Sequence, residues 1–502
     1  RQAAGCAPLP SAHTGSRYAR HAPERTLLYA LVEAHYPDFI ARIEAEGRSL
    51  PGYVREAFDA YLRCGVLEHG FLRVVCEHCR AERLVAFSCK KRGFCPSCGA
   101  RRMAESARHL VEEVFGPRPV RQWVLSFPYP LRFLFASKPE AIGPVLGIVQ
   151  RVIAGWLADQ AGIDRASAQC GAVTLIQRFG SALNLNIHFH MLWLDGVYVE
   201  ATELPRRELR LHRARAPTTA QLTQLAATIA HRVCRHLTRK GWLEGEGESA
   251  FLADSAAGDD SMDGLRMSSI TYRIATGRDA GCKVVTLQTL PGDAGSLEGE
   301  AGKVGGFSLH AGVAAEAHES HKLEKLCRYI TRPAISEKRL SIALQGRVRY
   351  QLKTPWRNGT THVEWDPVDF IAKLAALVPP PRAHLTRFHG VFAPNANLCA
   401  QLTPSGRGKR PAGDAAPVDV SAHDAPRSPE EKRRAMSWAQ RLKRVFSIDV
   451  TACVHCGGTV RIVASIEEPT AIRAILAHFE KHGAREEAHY RPAARAPPVQ
   501  AA

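Results

Sequence analysis

The sequence predicts an α+β protein of more than one domain. Three observations lead there. Stretches with apolar residues at helical spacing and stretches with strand-like alternation both recur along the chain. Hydrophobic residues make up 45% and charged residues 23%, so the chain can bury a core and is not too polar to fold. At about 150 residues per domain, 502 residues correspond to roughly two to four domains.

The elements follow in order. Residues 24–70 read as helix, from the apolar spacing in TLLYALVEAHYPDFIARIEA. A Cys-rich element occupies 71–105, and 104–115 returns to helical spacing. VRQWVLSFP at 120–128 reads as a strand closed by proline. Residues 141–161 read as a long buried helix. Residues 171–179 and 187–199 read as two strands joined by GSALNLN, which is rich in turn formers. A helix with a basic end spans 221–240, and an acidic, Gly-rich surface loop spans 244–263. SITYRIA and CKVVTLQ, within 270–310, are strand-like and precede a second Gly-rich insertion. A helix over 321–331 stops before Pro333. Strands at 347–352 and 362–365 and a helix at 367–377 follow. The resulting organisation is a helical region (1–70), the Cys element (71–105), a main domain (115–400), a linker rich in Pro, Gly, Ala and Asp (403–432) and a small C-terminal unit (433–502).

Charge narrows the function classes. Lys and Arg number 67 against 49 Asp and Glu, a net +18 that favours an anionic partner, nucleic acid first. There is no GxxxxGK[ST], which disfavours a P-loop ATPase or helicase. The most apolar stretch, 141–158, is broken by Pro144, Gln150 and Arg151, whereas a membrane span needs about 20 residues. The opening RQAAGCAPLP lacks the apolar region of a secretory signal and an initiator Met, so the true start is expected upstream. A soluble, cytoplasmic protein is expected.

The 14 Cys are unevenly placed. Five lie between Cys76 and Cys98, in CEHCRAERLVAFSCKKRGFCPSCGARR. Paired thiolates on two turns can close a tetrahedron around one Zn²⁺. The expected structural ligands are Cys76, Cys79, Cys95 and Cys98, with Cys89 able to substitute and His78 a further candidate; buried free thiols are the bland alternative. Residues 76–102 hold seven Lys or Arg against two Glu, so Lys90, Lys91, Arg92, Arg101 and Arg102 are candidates to grip a phosphate backbone. Cys453 and Cys456 precede GGTVRIVAS and look like half a zinc ribbon with no second CxxC, or equally a hairpin with two free thiols.

The candidate catalytic residues begin on IHFHMLWL. Alternation puts His188, His190, Leu192 and Leu194 on one face and Ile187, Phe189, Met191 and Trp193 on the other, the pattern of a central strand. Two imidazoles on one face can share a metal ion with a third ligand from a neighbouring element. The alternative is two hydrogen-bonded core histidines, since 22 His make a chance HxH easy. In HKLEKLCRYIT, Leu323, Leu326, Cys327 and Ile330 form an apolar stripe, and Tyr329 lies roughly 110° away from it. There it keeps company with Lys322, Lys325, Arg328 and Arg332, cations that would hold a phosphate. A partly buried surface tyrosine is the alternative. Together these parts suggest one reaction: a metal on His188 and His190 polarises a phosphodiester, and the Tyr329 hydroxyl attacks it to form a covalent phosphotyrosine. Gln177, Glu319 and Glu324 are candidates for the third ligand.

At these residues the chain resembles the rolling-circle transposases of the common-region insertion sequences (ISCR type), which use an HUH nuclease. The resemblance runs through FCPSCGARRM, QRFGSALNLNIHFHMLWLDGVY, LCRYITRPAIS, GRVRYQLKTPWRNGTTHVEWDPVDFIAKLAALVPPPRAHLTRFHGVFAPNA and CVHCGGTVRIVA. It implies an antiparallel-sheet HUH (RRM-like) core, a required Mg²⁺ or Mn²⁺, and a single-strand DNA endonuclease and strand transferase that forms a 5′-phosphotyrosine. It implies a bacterial protein acting on DNA. Lys325 and Pro333 stand four residues either side of Tyr329, which matches the branch with one tyrosine and argues against two strands held covalently by one subunit. The competing expectations are a plasmid replication initiator or relaxase with the same chemistry, a non-catalytic zinc DNA-binding protein, and a carboxylate-triad nuclease.

Overall fold

A computed structural model describes residues 22–201, 208–245, 251–253, 261–289, 301–404, 453 and 455–481. The first half of the chain forms α1 (Leu27–Ala45), α2 (Gly52–Arg63), β1 (Phe71–Cys76), β2 (Glu82–Ala86), α3 (Pro96–Arg108), β3 (Val120–Ser126), α4 (Tyr129–Ser137), α5 (Ile142–Ala161), β4 (Gly171–Phe179), β5 (Leu185–Leu194), β6 (Gly196–Ala201), β7 (Glu208–Arg213) and α6 (Thr219–Arg239). The second half adds β8 (Leu243–Glu244), β9 (Phe251–Leu252), α7 (Asp263–Ile270), β10 (Val285–Gln288), β11 (Ala301–Val304), β12 (Phe307–Ala315), α8 (Ser320–Ile330), β13 (Leu340–Ile342), β14 (Val348–Gln351), β15 (Thr360–Trp365), α9 (Pro367–Leu377), β16 (Thr386–Gly390), α10 (Cys399–Leu402), β17 (Val460–Ile466) and α11 (Pro469–Lys481).

The chain divides into two units. One holds Glu24–Leu62 and 89–404, the other Arg63–Ser88 and 453–481. This division cuts across the sequence-drawn boundaries at 70 and 105, because β1 finds its pairing partner in β17 rather than among its sequence neighbours. The expected linker, 403–432, lies outside the described residues except for Thr403 and Pro404.

The larger unit is built on a six-stranded antiparallel sheet in the order β11-β12-β3-β5-β4-β16. The two-faced apolar pattern of β5 gives it an inner position between β3 and β4. On one face Leu192 and Leu194 of β5 and Val173 and Leu175 of β4 meet Leu323, Leu326 and Ile330 of α8. At about 1.5–3 kcal/mol for each fully buried aliphatic side chain, this stripe fixes how α8 lies on the sheet. On the other face Phe189 packs on Phe127, which meets Phe135 of α4, and Trp123 meets Trp156 of α5 at 5.5 Å. Pro139–Ala161 is the one helix among the described residues long and apolar enough to cross a membrane, but most of its apolar side chains are buried.

A second antiparallel sheet, β10-β15-β14-β13, follows, with α9 packed against α1 and α7. SITYRIA corrects its strand-like expectation. Ile270 ends α7, and Tyr272 takes a left-handed φ of +57°, which breaks the extended run. In the smaller unit β1 is the middle strand of the antiparallel sheet β17-β1-β2, and Leu67, Phe71 and Leu84 share a core with Ile472, Leu476 and Phe479 of α11.

Candidate active site

The β5 ladder sets the histidines in register. His188 lies opposite Ser126 and Gln177, and His190 opposite Val124 and Leu175. Both imidazoles are buried, and their Nε2 atoms are 3.1 Å apart. Their protons follow from their partners. His188 Nδ1 donates to the carbonyl of Asn186 at 2.9 Å, which leaves its Nε2 with a free lone pair. His190 Nε2 then donates to that lone pair, and its Nδ1 accepts from the Gln122 amide at 2.8 Å. Burial lowers His188 to about 4, with Arg332 and Arg132 adding to the effect. Burial, then the neighbouring His188, lowers His190 to about 2. Both rings are therefore neutral at physiological pH, the form that binds a metal. The Gln177 amide donates to the carbonyl of Ile330 at 3.0 Å and so ties the histidine-bearing sheet to the end of α8.

Tyr329 projects from α8 toward that pair. Its ring centroid is 6.4 Å from the His190 ring, at 88°, and it is 41% exposed, so it is neither remote nor sealed in the core. The Arg332 guanidinium stands 4.2 Å from the ring centroid, and the Lys353 ammonium 4.3 Å. Of the cations expected around Tyr329, Arg332 touches it. Lys322 pairs with Glu319 at 3.1 Å and Arg328 with Glu324 at 2.6 Å along the helix. Those ion pairs also occupy the two carboxylates considered as third metal ligands, and Gln177 is the candidate the structure sets beside His188. Lys353 and Gln122 were not foreseen. Lys353 carries no local signal, whereas Gln122 was legible as a lone amide within the apolar strand VRQWVLS.

A cavity of about 350 Å³ opens beside Gln177 and Ile330. Lys91, Arg92, Arg102, Arg178 and Arg332 line it, and no acidic side chain does. Three of these are candidates from the Cys element, so the structure brings that element's basic residues to β4, the strand next to the histidine-bearing β5. Arg178 is 7% exposed, and its Nε has no hydrogen-bond partner. Burial and the nearby Arg266 lower its pKa to about 10. Burial also lowers Arg332, and burial together with Arg92 lowers Arg102. Lys91 pairs with Glu56 at 3.1 Å, but cations gathered with so little counter-charge make an anion site. Arg92 and Arg102 are steadied by carbonyls, of Ala383 at 2.8 Å and Lys90 at 2.9 Å respectively.

The cysteines regroup. The expected tetrahedron of Cys76, Cys79, Cys95 and Cys98 is not formed. Instead Cys89, Cys95 and Cys98 gather in the larger unit, and Cys76, Cys79, Cys453 and Cys456 in the smaller, with the sulfurs of each within 4.8 Å of one another. Cys89 is a full member rather than a spare, with its Sγ 3.4 Å from that of Cys98. The C-terminal pair is the other half of the ribbon begun at Cys76, and Cys79 meets Cys453 at 3.5 Å. The cause is the β1–β17 ladder, which brings the two knuckles side by side across 374 residues of sequence. The Cys79 amide points at the Cys76 sulfur and is the largest influence lowering that thiol to about 6, toward the thiolate that binds zinc. The four converging thiols of the smaller unit fit a structural Zn²⁺, and the three of the larger unit supply most of such a site.

Residues 171–399 match the Y2_Tnp transposase family, and residues 31–127 match a transposase zinc-binding domain of the IS91 type. No curated protein and no solved structure matches the chain. The first match contains His188, His190 and Tyr329, and the second contains Cys64, Cys76, Cys79, Cys89, Cys95 and Cys98. Both matches are to transposase models, and together they support a transposase with a zinc-binding region similar to the IS91 type.

Proposed function

We propose that the chain is a transposase that nicks single-stranded DNA and transfers the strand through a covalent 5′-phosphotyrosine on Tyr329, in transposition of the rolling-circle kind. The observation that carries the reading is the 6.4 Å separation of the Tyr329 and His190 rings beside a cation-lined cavity. A divalent ion, Mg²⁺ or Mn²⁺, held by His188, His190 and Gln177 would polarise the phosphodiester and offset its charge. To free the His190 Nε2 for such a ligand role, the proton shifts to Nδ1 and the Gln122 amide turns its oxygen toward it. Arg332 and Lys353, both over the Tyr329 ring, hold the scissile phosphate against the phenol. The Tyr329 oxygen attacks phosphorus, the P–O3′ bond breaks, and the 3′ oxygen leaves as a hydroxyl. A second 3′ hydroxyl reverses the step by displacing the tyrosine oxygen, so no ATP is consumed. The basic cavity carries the adjoining phosphates.

The test is a denaturing gel of the protein with labelled single-stranded oligonucleotides bearing candidate element ends. With Mn²⁺, wild type gives one slow-migrating adduct and Tyr329→Phe gives none. Equal cleavage by Tyr329→Phe would instead point to a nuclease that does not use the tyrosine.

A further inference from the structure

Lys91, Arg92, Gly93 and His384 line the cavity beside Gln177 and also a second one, of about 310 Å³, so the two cavities share a wall. The wall is clamped where the Arg92 guanidinium donates to the Ala383 carbonyl at 2.8 Å, which joins the loop after Cys89 to the loop after α9. Each loop gives the second cavity one cation that the first lacks, Lys90 and Arg382. Both are exposed, and neither has an ion-pair partner among the described residues. The acidic residue on this cavity, Glu56, is taken by Lys91. Both cations also sit on left-handed backbone, Lys90 at φ +53° and Arg382 at φ +59°. The Arg382 turn is closed by the Ala383 N–H on the Pro380 carbonyl at 3.3 Å, and glycine is the residue favoured at a positive φ of this kind. Lys90 is held in place by Arg102, whose guanidinium donates to the Lys90 carbonyl at 2.9 Å. Glycine would relieve both positions and would forfeit only the charge. Strain kept for the sake of a side chain concentrates at ligand sites.

From Tyr329 outward the cations form a series. Arg332 stands over the tyrosine ring and lines the first cavity with Arg102, Arg92 lines both cavities, and Lys90 and Arg382 line only the second. One small anion would need one cluster, whereas a series spread over two joined cavities fits a polyanion whose charges recur along a chain. We infer that the single strand continues from the first cavity past Arg92 into the second, where Lys90 and Arg382 take two further phosphates on one side of the scissile one. Contacts of this kind carry no base information, so the gain is the same for every sequence. The inference rests on the single-strand reading above and extends the bound strand beyond the nick.

The test uses full-length Tyr329→Phe protein, so that binding is measured without chemistry. Fluorescence anisotropy against salt is followed for oligonucleotides lengthened one nucleotide at a time on either side of the scissile position. The reference protein gains about 0.7 in salt slope for each phosphate it takes up, until the strand fills both cavities. Lys90→Gly/Arg382→Gly matches it on the shortest strands that bind, then stops gaining about two phosphates earlier, a deficit of roughly 1.4 in slope on long strands. Because glycine suits both turns, thermal melting of the variant should not fall. Should it fall, Lys90→Asn/Arg382→Asn, which also tolerates left-handed backbone, gives the same shortened gain. A length series identical to the reference, or a loss equal at every length, overturns the second cavity alone and leaves adduct formation at Tyr329 standing. No oligonucleotide binding by the reference protein overturns both readings.

Discussion

Gln122 decides the state of the histidine pair without touching a substrate. It pins the His190 Nδ1 at 2.8 Å, and in the proposed metal site turning its amide would free the Nε2 to serve as a ligand. A partner of this sort is worth 10–100-fold in metal affinity. Gln122→Met is therefore expected to weaken Mn²⁺ binding, followed by electron paramagnetic resonance, by about that factor. An unchanged affinity would mean that the ring needs no steering. The same burial predicts a pH signature. In the folded chain His188 and His190 are lowered to about 4 and 2, while in the unfolded chain they titrate near 6.5. Between those values the unfolded state binds more protons, so stability is full above pH 6.5 and falls as pH drops toward 4. From pH 7 to 5, without added divalent metal, each histidine costs on the order of 2 kcal/mol. Urea unfolding of wild type should steepen over that window relative to His188→Asn/His190→Asn, and parallel curves would refute the shift. Much of this was legible in the sequence. The HxH on an apolar strand and the placing of Tyr329 off its helix stripe both follow from periodicity. Lys353 was not legible, because only the fold brings the chain after β14 over a ring on α8.

At the scale of elements, period and pattern carried far. β4 and α9 have the limits their patterns predicted, and the α8 stripe is buried as drawn. What failed was long-range partnership. Nearest-neighbour logic paired Cys76 and Cys79 with Cys95 and Cys98, yet the β1–β17 ladder hands them to Cys453 and Cys456. No spacing rule spans such a distance, and the clue lay in a C-terminal half-ribbon lacking its mate. The structure makes that zinc a clasp for β17. Cys453→Ser/Cys456→Ser should raise hydrogen exchange of Val460–Ile466 by about 100-fold or more, because a structural Zn²⁺ site contributes folding energy directly. Protection of β3, β4 and β5 should not change. If β17 keeps its protection with both thiols gone, the clasp is wrong.

Across the whole molecule the excess of positive charge was plain in composition, but its concentration was not. The larger unit gathers Lys91, Arg92 and Arg102 from the Cys element with Arg178 and Arg332 around one cavity. Binding of single-stranded DNA should therefore depend steeply on salt, with log K falling by about 0.7 per phosphate contact on a log salt scale. Arg92→Ala/Arg102→Ala should lower that slope by roughly 1.4 and weaken all sequences alike. A slope equal to wild type would place the strand elsewhere. The account as a whole turns on which atom takes the phosphate. Mass spectrometry of the proteolysed covalent adduct, formed with Mn²⁺ on single-stranded DNA, reads this directly. The expected result is a nucleotide joined through its 5′ phosphate to the peptide carrying Tyr329; a nucleotide on any other tyrosine, or on none, would contradict it.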